Sequence, residues 1–178
     1  MLALALGLSA CGTKHSVVTK GETEGTYLDV GPLKYQVQIS RLLNPAAIPE
    51  DRTFLSGVAG GSAGLGPDDG WFAVFVRVEN ESHEPQRLAT AFEIEDADRK
   101  VYEPLAIAAT NPFRYVGGMV KDRGVVPSPN SVAAQTSING QELLFRVKEA
   151  ALDESRPFTF KIHSPTNPRL VAEVELDI

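Results

Sequence analysis

The single cysteine of this chain, Cys11, follows an apolar amino terminus and two small residues. A cysteine sulfur is a good nucleophile, so a thiol at such a place is able to take up a covalent group. The apolar run, residues 1–8, is too short to cross a bilayer, which takes about 20 residues. A short apolar run that ends at small residues is typical of a cleavable export signal. The sequence therefore predicts export and processing next to Cys11.

The order Leu-Ser-Ala-Cys at residues 8–11 resembles the lipobox of bacterial lipoprotein precursors. The resemblance implies a signal peptide over residues 1–10, acyl chains of the palmitate type on Cys11, and an extracytoplasmic protein anchored to the membrane. Several acyl chains anchor a protein stably, whereas one chain binds reversibly. Such signals normally open with a basic residue, but none precedes Lys14, so we expect the natural start to lie upstream.

A second pattern with chemical potential is Gly-x-Ser-x-Gly at residues 60–64, which matches the nucleophile elbow of serine hydrolases. That elbow holds its serine between a buried strand and a helix. Here glycines and Pro67 flank Ser62, and this composition is typical of a flexible loop. We therefore predict no catalytic residue and no enzyme, with a hydrolase using Ser62 as a remote alternative.

Two acidic turns, residues 68–69 and 96–98, carry oxygen atoms of the kind that bind calcium. Neither has the six to eight ligands that this cation prefers. The histidines His15, His83 and His163 have no neighbouring ligand at zinc spacing. The sequence thus predicts no metal and no cofactor, and a ligand- or cation-carrying lipoprotein is the alternative function.

The longest irregular stretch, residues 104–131, is unusual for a compact domain and so suggests function. Within it lie Phe113, Arg114 and Tyr115, and aromatic residues with arginine are enriched at binding hot spots. These three side chains are our candidate partner-binding residues. The alternative, which we favour, is that the two rings fasten the loop to the domain.

Composition limits the classes of function. The chain has 178 residues, of which 43% are hydrophobic, and a formal net charge of −6. An acidic chain lacks the basic surface that nucleic acid or anionic lipid requires, so we expect no nucleic-acid partner and membrane attachment through the lipid alone. Residues 11–26 are polar and predict a flexible tether of up to about 50 Å. Residues 27–178 then form one domain.

The elements that must position these residues are mostly strands. Alternation of apolar and polar residues predicts about seven short strands. Residues 71–79 are apolar on both faces at one end, which indicates a central strand. Asn139-Gly140 predicts a hairpin between residues 132–138 and 143–147. With helical turns near residues 49–52 and 148–154, the pattern predicts an all-β, immunoglobulin-like β-sandwich, with a closed barrel as the alternative.

The order of parts also resembles secreted bacterial domains of the immunoprotective-extracellular-protein type. The resemblance rests on Val-x-Val-x-Asn at residues 76–80, the Asp-rich turn at 96–98, and Leu-x-Phe-x-Val at 143–147. It implies an extracellular domain without catalysis and assigns no site residues. We therefore expect a binding module of the cell envelope whose partner is an envelope protein or a glycan.

Overall fold

The structure, a computed structural model, describes residues 16–59 and 65–178. Twelve strands and three short helical segments make up this part of the chain. In chain order they are β1 (Lys20–Gly21), β2 (Tyr27–Val30), β3 (Leu33–Leu43), α1 (Pro49–Phe54), β4 (Asp69–Asn80), β5 (Gln86–Arg87), β6 (Ala91–Glu95), β7 (Val101–Tyr102), β8 (Met119–Val120), β9 (Val125–Val126), the 3-10 helix Val132–Gln135, β10 (Gln141–Lys148), α2 (Ala151–Glu154), β11 (Thr159–His163) and β12 (Val171–Glu175).

Two sheets pack face to face. The first has the strand order β1–β12–β11–β6–β7, and the second has the order β10–β4–β3–β2, with β9 also paired to β4. Strands β5 and β8 form a separate two-stranded ribbon. The predicted all-β sandwich is confirmed, and helices α1 and α2 occupy the two predicted helical turns. Neither helix has the length or the apolar character needed to cross a membrane.

Strand β4 organises the second sheet, because β3 pairs with one side of it and β10 with the other. Its Phe72, Val74 and Val76 point between the sheets, while Trp71 and Phe75 point to the opposite face. All five side chains are buried. The predicted central strand is therefore confirmed, and its two apolar faces serve two different clusters.

The main core lies between the sheets and is rich in aromatic rings. Phe92 and Phe160 stack at 5.8 Å between centroids, and Phe145 meets Phe160 edge-on at 6.4 Å. Each fully buried ring of this kind contributes about 2 to 3 kcal/mol through removal from water. This core holds the two sheets together and sets the frame on which the loops are placed.

A second group of buried side chains, the outer cluster, covers the other face of the second sheet. Phe54 of α1 meets Phe75 and Phe113 edge-on, each at 4.9 Å between ring centroids. The remaining buried members are Leu43, Leu55, Val58, Trp71, Ala73, Ala133 and Leu144. Helix α1 and part of the long loop thus form a third layer on the sandwich.

A β-bulge in β3 connects the two clusters. Val37 pairs with Val76 and Ile39 pairs with Phe75, so the register shifts between Val37 and Ile39. Strict alternation predicts Ile39 on the same face as Val37, and this expectation is wrong. The extra residue of the bulge turns Ile39 and Arg41 to the outer face, where α1 packs.

The expected tether over residues 11–26 is too long at its carboxyl end. Lys20–Gly21 pairs with β12 as a parallel edge strand. The Val18 backbone N–H donates to Asp29 Oδ2 at 2.7 Å, and the Gly25 N–H donates to Val37 O at 2.9 Å. The folded domain therefore begins by Val18 and not at Tyr27.

The expected strand over residues 132–138 is also corrected, because Val132–Gln135 forms a 3-10 helix. Ser131 caps it, since its Oγ accepts from the Ala134 N–H at 3.3 Å. Ala133 is buried in the outer cluster. Asn139 has positive φ before β10, but no strand precedes it, so the predicted hairpin is wrong.

Candidate functional site

The long loop between residues 104 and 131 forms a groove on the surface. Its strand β8 pairs with β5 in the separate ribbon, and its strand β9 pairs with the end of β4 in the second sheet. The groove has a volume of about 680 Å³. We call it the loop groove, and it is lined by Leu88, Val116, Gly117, Met119, Val120, Lys121, Arg123, Gly124, Val125, Val126, Ser128, Pro129 and Gln141.

Apolar and cationic side chains meet in the loop groove. Met119 is 60% exposed and Val116 is 43% exposed, which is high for large apolar residues. Lys121 and Arg123 are exposed beside them, and Arg123 Nη2 lies 2.9 Å from His83 Nε2. Both side chains are positively charged, whereas the chain as a whole has a net charge of −6. The groove is suited to a partner that presents an apolar side chain and a carboxylate.

Asn80, at the end of β4, holds the cationic end of the loop groove in place. Its buried Nδ2 donates to Glu84 O at 2.7 Å and to Lys121 O at 2.8 Å. Its backbone N–H donates to Gly124 O at 2.9 Å. Sequence reasoning noted Asn80 only as the last residue of Val-x-Val-x-Asn. A buried amide in this position fixes the backbone that carries Lys121 and Arg123.

Two of the three predicted partner-binding residues, Phe113 and Tyr115, pack against the domain. Phe113 is 6% exposed and belongs to the outer cluster. Tyr115 packs edge-on against Phe92 at 5.0 Å, its Oη lies 3.4 Å from that of Tyr35, and burial raises the pKa of its hydroxyl. Arg114 is half-buried and pairs through its backbone with β10. The two rings fasten the loop to the domain, so the surface open to a partner lies further on, at residues 116–123.

A second concave region, the α1 cavity, lies between α1, β3 and residues 136–138. Its volume is about 490 Å³. It is lined by Ile39, Arg41, Glu50, Thr53, Phe54, Phe113, Thr136, Ser137 and Ile138. Arg41 makes two contacts with the fully buried carboxylate of Asp51, one of them at 3.1 Å, and the Asn44 N–H donates to Asp51 at 2.6 Å. This ion pair joins α1 to the sheet.

Glu142 of β10 is buried close to the α1 cavity. The residue is 1% exposed, and neither carboxylate oxygen has a hydrogen-bond partner within the described part of the chain. Burial raises its pKa to about 8, although the Arg41 charge acts in the opposite direction. A carboxyl group in this state is protonated at neutral pH. The alternation of the sequence does not predict this burial, because Glu142 lies at the polar start of a strand.

The acidic turns and His163 make contacts within the fold. Asp96 Oδ2 accepts from the Tyr102 hydroxyl at 2.9 Å, and Asp69 Oδ1 lies 2.7 Å from Lys148 Nζ. His163 Nε2 is 3.5 Å from Glu93 Oε1 on the neighbouring strand. Within residues 16–59 and 65–178, no three acidic, histidine or cysteine side chains are grouped as metal ligands. Cys11, His15 and Ser62 lie outside the described residues.

Comparison with known proteins supports the fold class and assigns no function. No family model and no curated protein sequence matches the chain. It is similar to the yjhA protein from Bacillus subtilis, with 11% identity, a TM-score of 0.50, and coverage of 88% of this chain and 99% of that one. It is also similar to ycdA from Bacillus subtilis, provisionally described as a lipoprotein, with 11% identity and a TM-score of 0.53 over 88% of this chain. The chain spans 39% of the length of ycdA. An uncharacterized β-sandwich protein from Clostridium difficile is 9% identical, with a TM-score of 0.48. That match covers 93% of this chain and 99% of the other chain.

Proposed function

We propose that this protein is a bacterial lipoprotein, anchored outside the cytoplasm through Cys11, whose β-sandwich is a non-catalytic binding module of the cell envelope. In this proposal residues 1–10 are a signal peptide, and the domain is of the immunoprotective-extracellular-protein type. The lipobox pattern supports the anchor. The fold shared with a protein provisionally described as a lipoprotein agrees with it.

The loop groove is the observation that carries the binding role. Exposed apolar residues next to cations are characteristic of protein-binding surfaces, where the apolar part gives affinity and the charges select the partner. Pairing of β8 with β5 and of β9 with β4 holds the backbone that lines the groove. We propose that its partner is an extended segment of an envelope protein that carries an apolar side chain next to an acidic one.

The place where the chain enters the domain supports a partner close to the membrane. Val18 is hydrogen-bonded to Asp29, and one row across the second sheet runs from Asp29 through Lys34 and Glu79 to Val125 of the loop groove. Strands in a sheet lie about 4.8 Å apart, so the row from Val18 to Val125 is about 20 Å wide. Seven residue steps separate Cys11 from Val18, a reach of at most about 25 Å. A lipid on Cys11 therefore keeps the groove within about 45 Å of the anchor.

Site-specific photocrosslinking in the native cell tests the binding role. A photoreactive amino acid replaces Met119 in the loop groove, and in a control it replaces Val101, which is 46% exposed on the first sheet. We expect a protein adduct from position 119 that is absent at position 101 and is lost in the Lys121→Glu, Arg123→Glu double variant. Equal adducts at both positions contradict the groove assignment. An adduct that resists protease and is cut by glycosidase makes the partner a glycan.

Detergent partitioning tests the anchor independently of the partner. Wild-type protein from the native cell is expected in the detergent phase, and Cys11→Ser is expected in the aqueous phase because it has no sulfur to acylate. Identical partitioning of the two proteins contradicts lipidation of Cys11. The crosslinking result at position 119 does not depend on this outcome.

A further inference from the structure

A further concave region, which we call the β6 notch, lies at the edge of the first sheet and has a volume of about 470 Å³. Within the described residues, β7 pairs with β6 only at Ile94 and Glu95. The chain then leaves this edge, because the Leu105 N–H donates to Leu144 O of β10 at 2.7 Å. The first half of β6 is therefore left open. The residues of the notch used below are Phe92, Glu93, Glu103, Pro104, Tyr115 and His163.

The main chain of Phe92 faces the open edge of β6. The Asp96 N–H donates to Lys100 O at 3.1 Å, which fixes the phase of the antiparallel ladder between β6 and β7. Hydrogen-bonding groups alternate in direction along a strand, so Phe92 directs its N–H and C=O to the same side as Ile94 and Asp96. A strand edge that presents its main chain in this way pairs readily with an extended segment of another chain.

The ionisable side chains that line the β6 notch are mostly acidic. Glu93 and Glu103 line it together with His163, and no lysine or arginine of the described chain does. Lys161 Nζ lies 2.8 Å from Glu95 and 3.8 Å from Glu93, so its closer partner is the carboxylate outside the notch. Glu103 is exposed to solvent. The lining of the notch therefore favours a positively charged side chain.

The β6 notch and the loop groove meet at Gly117, which lines both regions. Gly117 and Gly118 are exposed, and neither carries a side chain that separates the two regions. A Cβ at position 117 would lie 2.6 Å from Thr90 Cγ2, so the loop rests directly on the residue before β6. The charge changes sign across this junction, from Lys121 and Arg123 in the loop groove to the carboxylates of the notch.

The distance between the two charged ends sets the length of the segment that fits. Lys121 follows Val120, which pairs with Gln86 across the ribbon. Glu93 follows Gln86 by seven residues, so the two are at most about 25 Å apart. An extended segment of about eight residues covers this distance.

We propose that one extended segment of the partner protein fills both regions, with an acidic side chain at the cationic end of the loop groove and a lysine or arginine in the β6 notch. This inference rests on the binding role proposed above for the loop groove, and it adds the length and the charge order of the bound segment. The main chain of the segment pairs with Phe92 at the open edge of β6. Its basic side chain forms charge-assisted hydrogen bonds with Glu93 and Glu103. The rings of Phe92 and Tyr115, which also line the notch, attract the same cation.

Photocrosslinking from both regions tests the proposal in the native cell. A photoreactive residue replaces Met119 in the loop groove or Ala91 in the notch, and Asp153, which is exposed on α2, is the control position. Mass spectrometry of the digested adducts identifies the labelled partner residues. We expect positions 119 and 91 to label one partner segment at sites no more than about eight residues apart, and position 153 not to label it. An acidic residue is expected near the first site and a basic residue near the second.

The outcomes separate this inference from the binding role on which it rests. An adduct from position 119 with none from position 91, or labelled sites in two different proteins, overturns the shared segment and leaves the binding role of the loop groove standing. No adduct from either position overturns both. Labelled sites in a second copy of this chain show self-association and also overturn the proposal.

Glu103→Lys tests the charge order, because it reverses one charge of the notch at an exposed position. We expect this variant to lower the adduct yield from position 119 by about threefold. Glu175→Lys, at an exposed carboxylate on β12, is the matched control and is expected to leave the yield unchanged. Equal yields from the two variants overturn the assignment of the notch. Replacement of the basic residue in the captured segment by glutamate is expected to restore the yield in Glu103→Lys, and no recovery contradicts a direct ion pair.

Discussion

Replacement of Glu142 by glutamine is expected to stabilise the protein as the pH rises. The pKa of Glu142 is raised from 4.5 to about 8 by burial, so the folded state keeps a proton that the unfolded state has lost. Between these two pH values the folded state binds more protons, and the free energy of unfolding falls as pH increases. Below pH 4.5 Glu142 is protonated in both states, so its burial no longer lowers the free energy of unfolding.

The size of the effect follows from the interval between the two pKa values. Each pH unit within it corresponds to about 1.4 kcal/mol, so the full change between pH 4.5 and 8 is up to about 5 kcal/mol. Glutamine has nearly the same shape as a protonated glutamate but cannot ionise. We therefore expect Glu142→Gln to match the wild type within about 1 kcal/mol at pH 4 and to exceed it by about 3 kcal/mol at pH 7.

Urea unfolding measured every half unit from pH 4 to pH 9 tests this expectation. The quantity of interest is the difference in unfolding free energy between variant and wild type, because contributions of the other titrating groups cancel in it. Glu84→Gln, at an exposed carboxyl on the surface, is the matched control and is expected to show a flat difference. A flat difference for Glu142→Gln as well refutes the burial argument. A difference that falls with pH shows that the carboxylate is stabilised in the fold.

The remaining predictions concern the loop and its attachment. Phe113→Ala is expected to lower the stability by about 3 to 5 kcal/mol in a thermal or urea melt, since it leaves a void beside Phe54. A loss below about 1 kcal/mol contradicts the burial of the ring. Asn80→Ala removes the donors to Glu84 O and Lys121 O. We expect it to lower the stability by about 2 kcal/mol and to speed amide exchange in residues 121–124. Unchanged exchange rules out a positioning role for Asn80. Met119→Ser is expected to change the stability by less than about 0.5 kcal/mol, because Met119 is exposed. It is also expected to lower the crosslink yield from a photoreactive residue at position 116. A large loss of stability instead makes Met119 a packing residue.

The strand pattern was predictable because it is local. Alternation over residues 33–37 and 71–79 follows directly from the two-residue period of a strand, and the two apolar faces of β4 identified it as central. The segment 132–138 was not predictable in this way. Its residues suit a strand, but Ser131 caps a 3-10 helix there and Ala133 packs into the outer cluster. Tertiary packing overrides a weak local preference for strand.

Phe113 and Glu142 show why the candidate sites were harder to predict than the fold. Their sequence neighbours give no information about the layer that α1 and the long loop build over the second sheet. That layer exists because a one-residue bulge turns Ile39 and Arg41 outward, where Arg41 meets Asp51. A side chain that looks available in a loop is then buried, and an acid at the start of a strand loses its access to water.

The sequence by itself determined the sandwich class, the central strand and the lipobox pattern around Cys11, because each depends on residues that lie next to each other in the chain. Tertiary structure decided where the domain begins, which side chains of the long loop are buried, and that Glu142 lies without a partner behind a cavity. It also brought residues 116–126 together with Leu88 and Gln141 to form one groove. These properties arise from contacts between segments far apart in sequence, and burial of a charge or exposure of an apolar group is defined only once those segments have packed.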